Sequence, residues 1–456
     1  MKKILRKLKT FLSIYLILFM SLNCDLNKKK ETDPVFLYSI IEALSHLTLP
    51  GPNALWTKLI GTTPSNLILP YSMSKDGSGN IYIAGQASGT LYGVPGPPGS
   101  MFIIQMNTDG NALFTKRFDR PIKAMTTDNA GNFYVIAITQ QDIDGETYSG
   151  GFLDENAVLT KFSNDGTRQW TRLMGDIGIP TIPRNIVIDT FNNIYILGNT
   201  QDGLDGQTTG VPGGCDYLVK YDSNGNKQWT KLLGNSIGFT DLTTFNGNAF
   251  LIGGYNNYST RRDIILIKYD SNGNKEWERT TGENGFFSHP KVITADQTGN
   301  LYITGTSSGS LNGQPAFPAG EIFTAKYNSN GNLHWVRTLG INGNLLVISG
   351  QSSTPKAITL SSQGVVFVSG ETEGNIDNQP HTSDEKDNLF LVRYDLEGNK
   401  LSTSLAGTKG HYMSIVGIVT DASGFAYITG STDGPLNGVS YIGTPGTGSN
   451  IFITKY

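Results

Sequence analysis

The sequence predicts an all-β chain folded as a seven-bladed β-propeller of four-stranded blades, and three observations carry that expectation. A pattern of the form Asp-x-x-Gly-Asn-x-Tyr-Ile-x-Gly recurs seven times. Gly accounts for 55 of 456 residues while charged residues make up only 16%, a composition of tight turns rather than of long charged helices. The repeats begin on one kind of strand and end on the kind that would pair with it, so a ring can close.

The first segment reads as an address. Lys2, Lys3, Arg6, Lys7 and Lys9 precede the uncharged run Phe11 to Leu22, a basic and then apolar arrangement typical of a secretory signal. The run is shorter than the roughly 20 residues that a spanning helix needs. Met20-Ser21-Leu22-Asn23 stands before Cys24, which resembles a bacterial lipobox of the looser spirochaete form. That resemblance implies cleavage after residue 23 and attachment of a diacylglycerol and an acyl chain such as palmitate at Cys24. Several chains hold a protein on a bilayer durably where one does so only marginally. The expected partner at this end is therefore the membrane, with the protein at the outer membrane or cell surface. Cys215 is the only other cysteine, so no intramolecular disulfide staples the mature fold.

Residues 24–53 are expected to form a lipidated tether followed by a short apolar helix. Asp33-Pro34 is a helix-start signal, and Phe36, Leu37, Ile40, Ile41, Leu44 and Leu47 share one face before Pro50-Gly51. Loss of the five signal charges takes the formal net charge from −3 to −8. With no basic stripe in the mature chain, nucleic acid is excluded as a partner, because phosphate binding relies on clustered Lys and Arg.

Residues 54–456 are the repeat region. Its b-strand aromatic is Tyr82, Tyr134, Tyr195, Phe250, Tyr302, Phe367 or Tyr427, and three residues on stands Gly85, Ala137, Gly198, Gly253, Gly305, Gly370 or Gly430. A third slot holds Trp56, Phe114, Trp170, Trp229, Trp277, Trp335 and Ser402. All five tryptophans fall there, which predicts packing between blades rather than ligand contact. Each unit reads as four short strands, a to d. In the third unit a is expected at 185–189, b at 193–198, c at 216–221 and d at 227–233. Asp76, Asp128, Asp189, Asp296 and Asp421, with Thr244 and Ser361 in the other copies, are expected to open the a-to-b turns as Asx or Ser/Thr turns. At a mean spacing of about 57 residues, four-stranded units suit a propeller. The d-type strand at Trp56 and the c-type strand Ile451 to Tyr456 would pair in one composite blade.

These motifs resemble the SBBP-type bacterial β-propeller repeat family, and with the Cys24 signal the chain resembles a spirochaete, leptospiral-like propeller lipoprotein. The resemblance implies the fold. It implies little about activity, since one fold hosts many functions.

A site is expected on the long, unequal b-to-c loops, because variable loops on a rigid scaffold are where binding resides. The candidate ligand-binding residues are Tyr92, Tyr148, Tyr255, Tyr258, Phe317 and Tyr441. The same loops carry a Gly-x-Leu-Asn/Asp-Gly turn. Asp142, Asp144, Asp202 and Asp205 could in principle offer oxygens to calcium, but the spacing fits no EF-hand and turn chemistry accounts for them. The histidines show no metal-ligand spacing, although topology places His289, His381 and His411 toward the loop-bearing end. No catalytic motif, metal site or cofactor is expected. The resulting function is a monomeric, non-enzymatic, lipid-anchored envelope propeller that offers a loop face to a protein or glycan. The alternatives are a periplasmic scaffold, or an enzyme of the propeller funnel such as a glycan lyase or a quinone-dependent dehydrogenase.

Overall fold

The computed structural model describes residues 53–456 apart from the segments 63–66, 150–154, 209–213, 235–236, 256–262, 283–287, 310, 314–320, 341–352, 378, 380–386, 444 and 447. The expected signal segment, Cys24, the tether and the apolar helix lie outside the described residues. Among those described, every regular element is a strand, and the strands form seven four-stranded antiparallel sheets and one two-stranded ribbon, Gly203–Leu204 with Gln207–Thr208. The seven-bladed reading holds.

The innermost strands, one per blade, are Ile68–Lys75, Ile122–Thr127, Thr181–Ile188, Ile237–Phe245, Ser288–Ala295, Ser353–Leu360 and Met413–Thr420. Each neighbours the next, and the seventh returns to the first. Hydroxyls sew this inner ring: Thr127 donates to Lys75 O (2.6 Å), Thr244 to Ile188 O (3.3 Å) and Thr420 to Leu360 O (2.8 Å), each reaching back to the preceding blade.

Closure is as the sequence predicts. Trp56–Ile60 pairs antiparallel with Asn450–Lys455, Trp56 opposite Lys455 and Ile60 opposite Ile451. The first strand of the repeat region is thus the outer strand of the last blade, and the edge that an open array would expose is paired. Ile60, Ile451, Ile453 and Tyr427 of that blade share one apolar core with Ile68, Ile83, Phe102 and Ile104 of the first. Elsewhere too, cores lie between blades: Tyr134, Ile136 and Leu159 of the second pack on Ile194, Ile196 and Tyr217 of the third.

The tryptophan slot is the wedge between blades. Each tryptophan meets its own blade's b-strand aromatic at a steep angle, as in Tyr195–Trp229 (6.0 Å, 66°) and Tyr302–Trp335 (6.2 Å, 62°). Its far side lies on the c-to-d turn of the following blade. A Cβ on Gly273 or Gly398 would strike Trp229 or Trp335, and the indole N–H donates to Ser271 O (3.1 Å) or Leu396 O (3.0 Å) of the same turns. A c-strand lysine completes the joint: Lys220 sits 5.3 Å from the Tyr195 ring centre while its ammonium donates to Ser271 O at 2.9 Å. The desolvated ammonium over an aromatic face adds cation–π attraction to packing.

The a-to-b turns follow the Asx expectation, with one exception. Asp189 Oδ1 accepts from the N–H groups of Phe191 (2.9 Å) and Asn193 (2.8 Å), and Ser361 Oγ accepts from Val365 N–H (3.2 Å). Thr244 does not open a turn. It lies within its strand, and Phe245 pairs directly with Asn248 across a two-residue turn in which Asn246 (φ 50°) and Gly247 (φ 75°) are both left-handed. One residue shorter than its counterparts, that hairpin takes the Asn-Gly primed form and needs no side-chain bridge.

Candidate functional site

The ring leaves a central channel with two unlike ends. At the a-to-b end a cavity of about 800 Å³ is lined by Lys75, Asp296, Ser361, Asp421, Phe425 and Lys455 among others. Its carboxylates are already employed. Asp296 binds its own turn through Thr298 and Asn300, and Asp421 Oδ2 takes the Tyr427 hydroxyl at 2.8 Å with Lys455 at 3.5 Å. This end presents mainly hydroxyls and backbone.

At the other end the b-to-c loops begin with a uniform device. Leu91, Ile143, Leu204, Leu311, Ile376 and Leu436 are buried and followed by a left-handed residue, Tyr92, Asp144, Asp205, Asn312, Asp377 or Asn437. That residue ties the loop outward onto strand d. Asp144 takes the Thr171 hydroxyl (2.7 Å) and Arg168 (2.6 Å), Asp205 takes Thr230 and Lys227, and Asn437 donates to Thr57 (2.8 Å). Two carboxylates considered for calcium therefore serve the turn, and among the described residues no three His, Cys, Asp or Glu side chains gather to hold a metal.

Of the expected aromatic contact residues, Tyr92 stands exposed at the tip of such a turn in the first blade. Tyr148 is half-buried in the second blade, its N–H bound to Asp142 (2.8 Å). Tyr441 is half-buried in the seventh. The side chains of Tyr255, Tyr258 and Phe317, like His381, lie outside the described residues. His411 is held by Asp433 at 3.1 Å, beside a cleft of about 280 Å³ between blades six and seven that Glu371, Asp387 and Tyr412 also line.

The channel wall corrects one expectation. Strand a of the third unit starts at Thr181 rather than 185, and the missed portion holds a β-bulge. All seven innermost strands carry it, leaving Tyr71, Lys123, Arg184, Thr240, Lys291, Lys356 and Val416 without a cross-strand partner. In six blades the repeat's glycine accommodates it. A Cβ on Gly85, Gly305 or Gly370 would run into the backbone carbonyl of Leu69, His289 or Thr354, so the missing side chain lets the bulged strand settle. A bulge re-aims the side chain it carries. Six of these seven residues are exposed, on strands that border the central channel. At these positions the inner strands thus contribute four cations and a tyrosine. The slot was legible: it stands 14 residues before the motif Gly or Ala137, and 13 before Gly253, where the turn is short.

Two cations there have structural partners. Arg184 pairs with Asp216 (3.0 Å), whose other oxygen takes Phe239 N–H (3.0 Å) of the next blade. Lys356 pairs with Glu371 (3.3 Å), which takes Ile415 N–H (2.7 Å) of the next blade. Burial pushes the Asp216 carboxyl up. Asp241, beside the bulge, is pushed up to about 7 because burial outweighs its donors, Ile293 N–H (2.8 Å), Leu242 N–H and the Asn185 amide.

Three stretches, residues 55–93, 169–205 and 403–437, match the model of the SBBP beta-propeller repeat. Each starts at a d strand, crosses into the next blade and ends at the b-to-c turn, so the sequence repeat is offset from the structural blade. No curated protein shows a significant match to the chain. Among solved structures it is similar to Kuenenia stuttgartiensis hydrazine synthase, at 10% identity and TM-score 0.49 over 80% of this chain and 93% of that one. It is similar to the β-propeller domain of the trilobed protease from Pyrococcus furiosus, at 7% and 0.46 over 86% and 97%. It also resembles Pyrococcus horikoshii acylaminoacyl peptidase, at 10% and 0.46 over 87% of this chain and 53% of that one.

Proposed function

We propose that the protein is a non-enzymatic propeller, lipid-anchored through Cys24 in the bacterial cell envelope at the outer membrane or cell surface, which acts as a monomer and presents its b-to-c end to a protein or glycan. The observation that supports this most is the asymmetry of the two ends. One is closed down by short turns whose carboxylates are consumed locally. The other carries long, unequal loops whose first turns share one anchoring device, and loops of variable length on a rigid ring are where binding resides.

The test joins three measurements. Labelled palmitate should enter the protein in cells and fail to enter Cys24→Ser. Protease should digest it on intact cells while a periplasmic control survives, and protection until lysis would replace the surface assignment with a periplasmic scaffold. Alanine changes across the b-to-c loops should abolish binding to envelope or host extracts. Unchanged binding after every loop change refutes the loop face.

The second reading, an enzyme using the channel as a glycan lyase or quinone-dependent dehydrogenase, draws support from Tyr71, Lys123, Arg184, Lys291 and Lys356, which five inner strands carry at equivalent positions around the ring. Turnover on a panel of sugars would establish it and displace the binding role.

A further inference from the structure

We infer that the bulge ring of the central channel is a binding site for a carboxylate-bearing sugar, with Lys123, Arg184, Lys291 and Lys356 receiving its acid groups and Tyr71 offering a ring face to its carbon skeleton. The inference deepens the proposed binding role and rests on it for the glycan nature of the partner.

The placement comes from the fold. Because the bulge recurs in every blade, opposite Gly in six and Ala137 in the second, the backbone fixes where this side chain goes and leaves its identity open. Lys and Arg together are 35 of 456 residues, under one in ten, yet they fill four of seven bulge positions. They concentrate in a chain whose formal net charge is negative. Asp216 and Glu371 offset two of the four, so the uncompensated positive charge rests with Lys123 and Lys291, and a cleft with an excess of one sign of charge attracts small ions of the other.

The arrangement is two-sided. Lys123 and Arg184 belong to adjacent blades two and three, Lys291 and Lys356 to adjacent blades five and six, so cations face the channel from opposing walls. The carboxylates of Asp216 and Glu371 already bridge blades, the first holding Arg184 of one pair and the second Lys356 of the other. Lys123 and Lys291 are exposed and make no hydrogen bond or ion pair with the described residues. They are the ammonium groups open to a ligand. Two spaced lysines suit an anion distributed over a molecule better than one compact ion.

Tyr71 supplies the apolar half of the site. It is 39% exposed, and its hydroxyl donates to Gln86 Oε1 at 2.6 Å while the Gln86 amide donates to Gly99 O at 2.9 Å. The phenol is thereby held in one orientation with its face available. A pre-set ring costs little further ordering when it meets the C–H face of a sugar.

The experiment titrates the mature chain, by calorimetry at low and at physiological salt, with an oligogalacturonide, a neutral galacto-oligosaccharide of equal length, a sulfated oligosaccharide and inorganic phosphate. The acidic oligosaccharide should bind and the neutral one should not. Lys123→Ala with Lys291→Ala should weaken binding at least tenfold at unchanged melting temperature, and Lys123→Arg with Lys291→Arg should restore most of it. Tyr71→Leu should weaken the oligogalacturonide but leave any binding of phosphate unaltered. Absence of oligogalacturonide binding to the wild type, or equal binding by the double alanine variant, overturns the inference. Equal affinity for phosphate and the oligosaccharide overturns the sugar assignment. If loop variants lose the envelope partner while the throat variants keep it, the throat site falls and the loop face stands. If the throat binds the acidic sugar and the loop variants change nothing, the loop face falls and the site stands.

Discussion

Asp241→Asn tests the electrostatics of the inner ring. Asp241 is fully buried, and its carboxyl titrates at about 7 against an ordinary 3.8. Below about pH 4 it is protonated in both folded and unfolded chains and contributes no pH dependence. As pH rises, the unfolded chain ionises first, so the folded state loses stability until the folded group also ionises near 7, above which the penalty is constant. At about 1.4 kcal/mol per pH unit the full penalty is about 4 kcal/mol, of which about 3 kcal/mol accrues between about pH 5 and about pH 8. With an unfolding entropy of about 2 cal/mol/K per residue, some 400 residues give about 0.8 kcal/mol/K, so that span corresponds to about 3–4 °C in melting temperature. The asparagine cannot ionise. It keeps one acceptor for Ile293 N–H but turns an amide toward Asn185, whose own Oδ1 is engaged by Ile186 N–H at 2.7 Å, so the variant is less stable in acid. Scanning calorimetry from about pH 5 to about pH 8 should show the wild-type melting temperature falling relative to the variant by about 3–4 °C. Parallel curves would refute the raised titration and with it the desolvated setting of Asp241.

Three further outcomes follow from the packing. Trp335→Ala, which empties the wedge between blades five and six, should cost about 3–5 kcal/mol in denaturant unfolding, and Trp335→Phe clearly less. Gly370→Ala should destabilise by about 1–3 kcal/mol through overpacking against the Thr354 carbonyl, whereas Ala137→Gly, in the one blade that already accepts a Cβ, should change stability far less; equal effects would argue against the bulge explanation. A chain beginning at residue 62 lacks the strand paired with Asn450–Lys455 and should associate or aggregate in size-exclusion chromatography with light scattering, where a stable monomer would refute closure as the source of solubility.

The amino-acid sequence alone determined the number of blades, their four-strand make-up, the tryptophan wedge and the pairing of Trp56–Ile60 with Asn450–Lys455. These depend on local signals repeated seven times, and repetition averages out the ambiguity of any one copy. It also determined the Asx turns, apart from Thr244, where a one-residue shortening exchanged a side-chain bridge for a left-handed Asn-Gly turn. Only the tertiary structure decided what the inner strands present to the channel. Strict alternation predicts which face a strand residue takes, and a bulge breaks that alternation for reasons held in the neighbouring strand, in the missing Cβ of Gly85 or Gly370. Lys123, Arg184, Lys291 and Lys356 lie roughly 60 to 230 residues apart in the chain and become neighbours of one channel because ring closure brings equivalent strands to one axis. The same closure buries Asp241 among three blades. Carboxylates that looked free in the loops were claimed by threonines and basic side chains of the adjoining d strand, partners that only folding brings within reach.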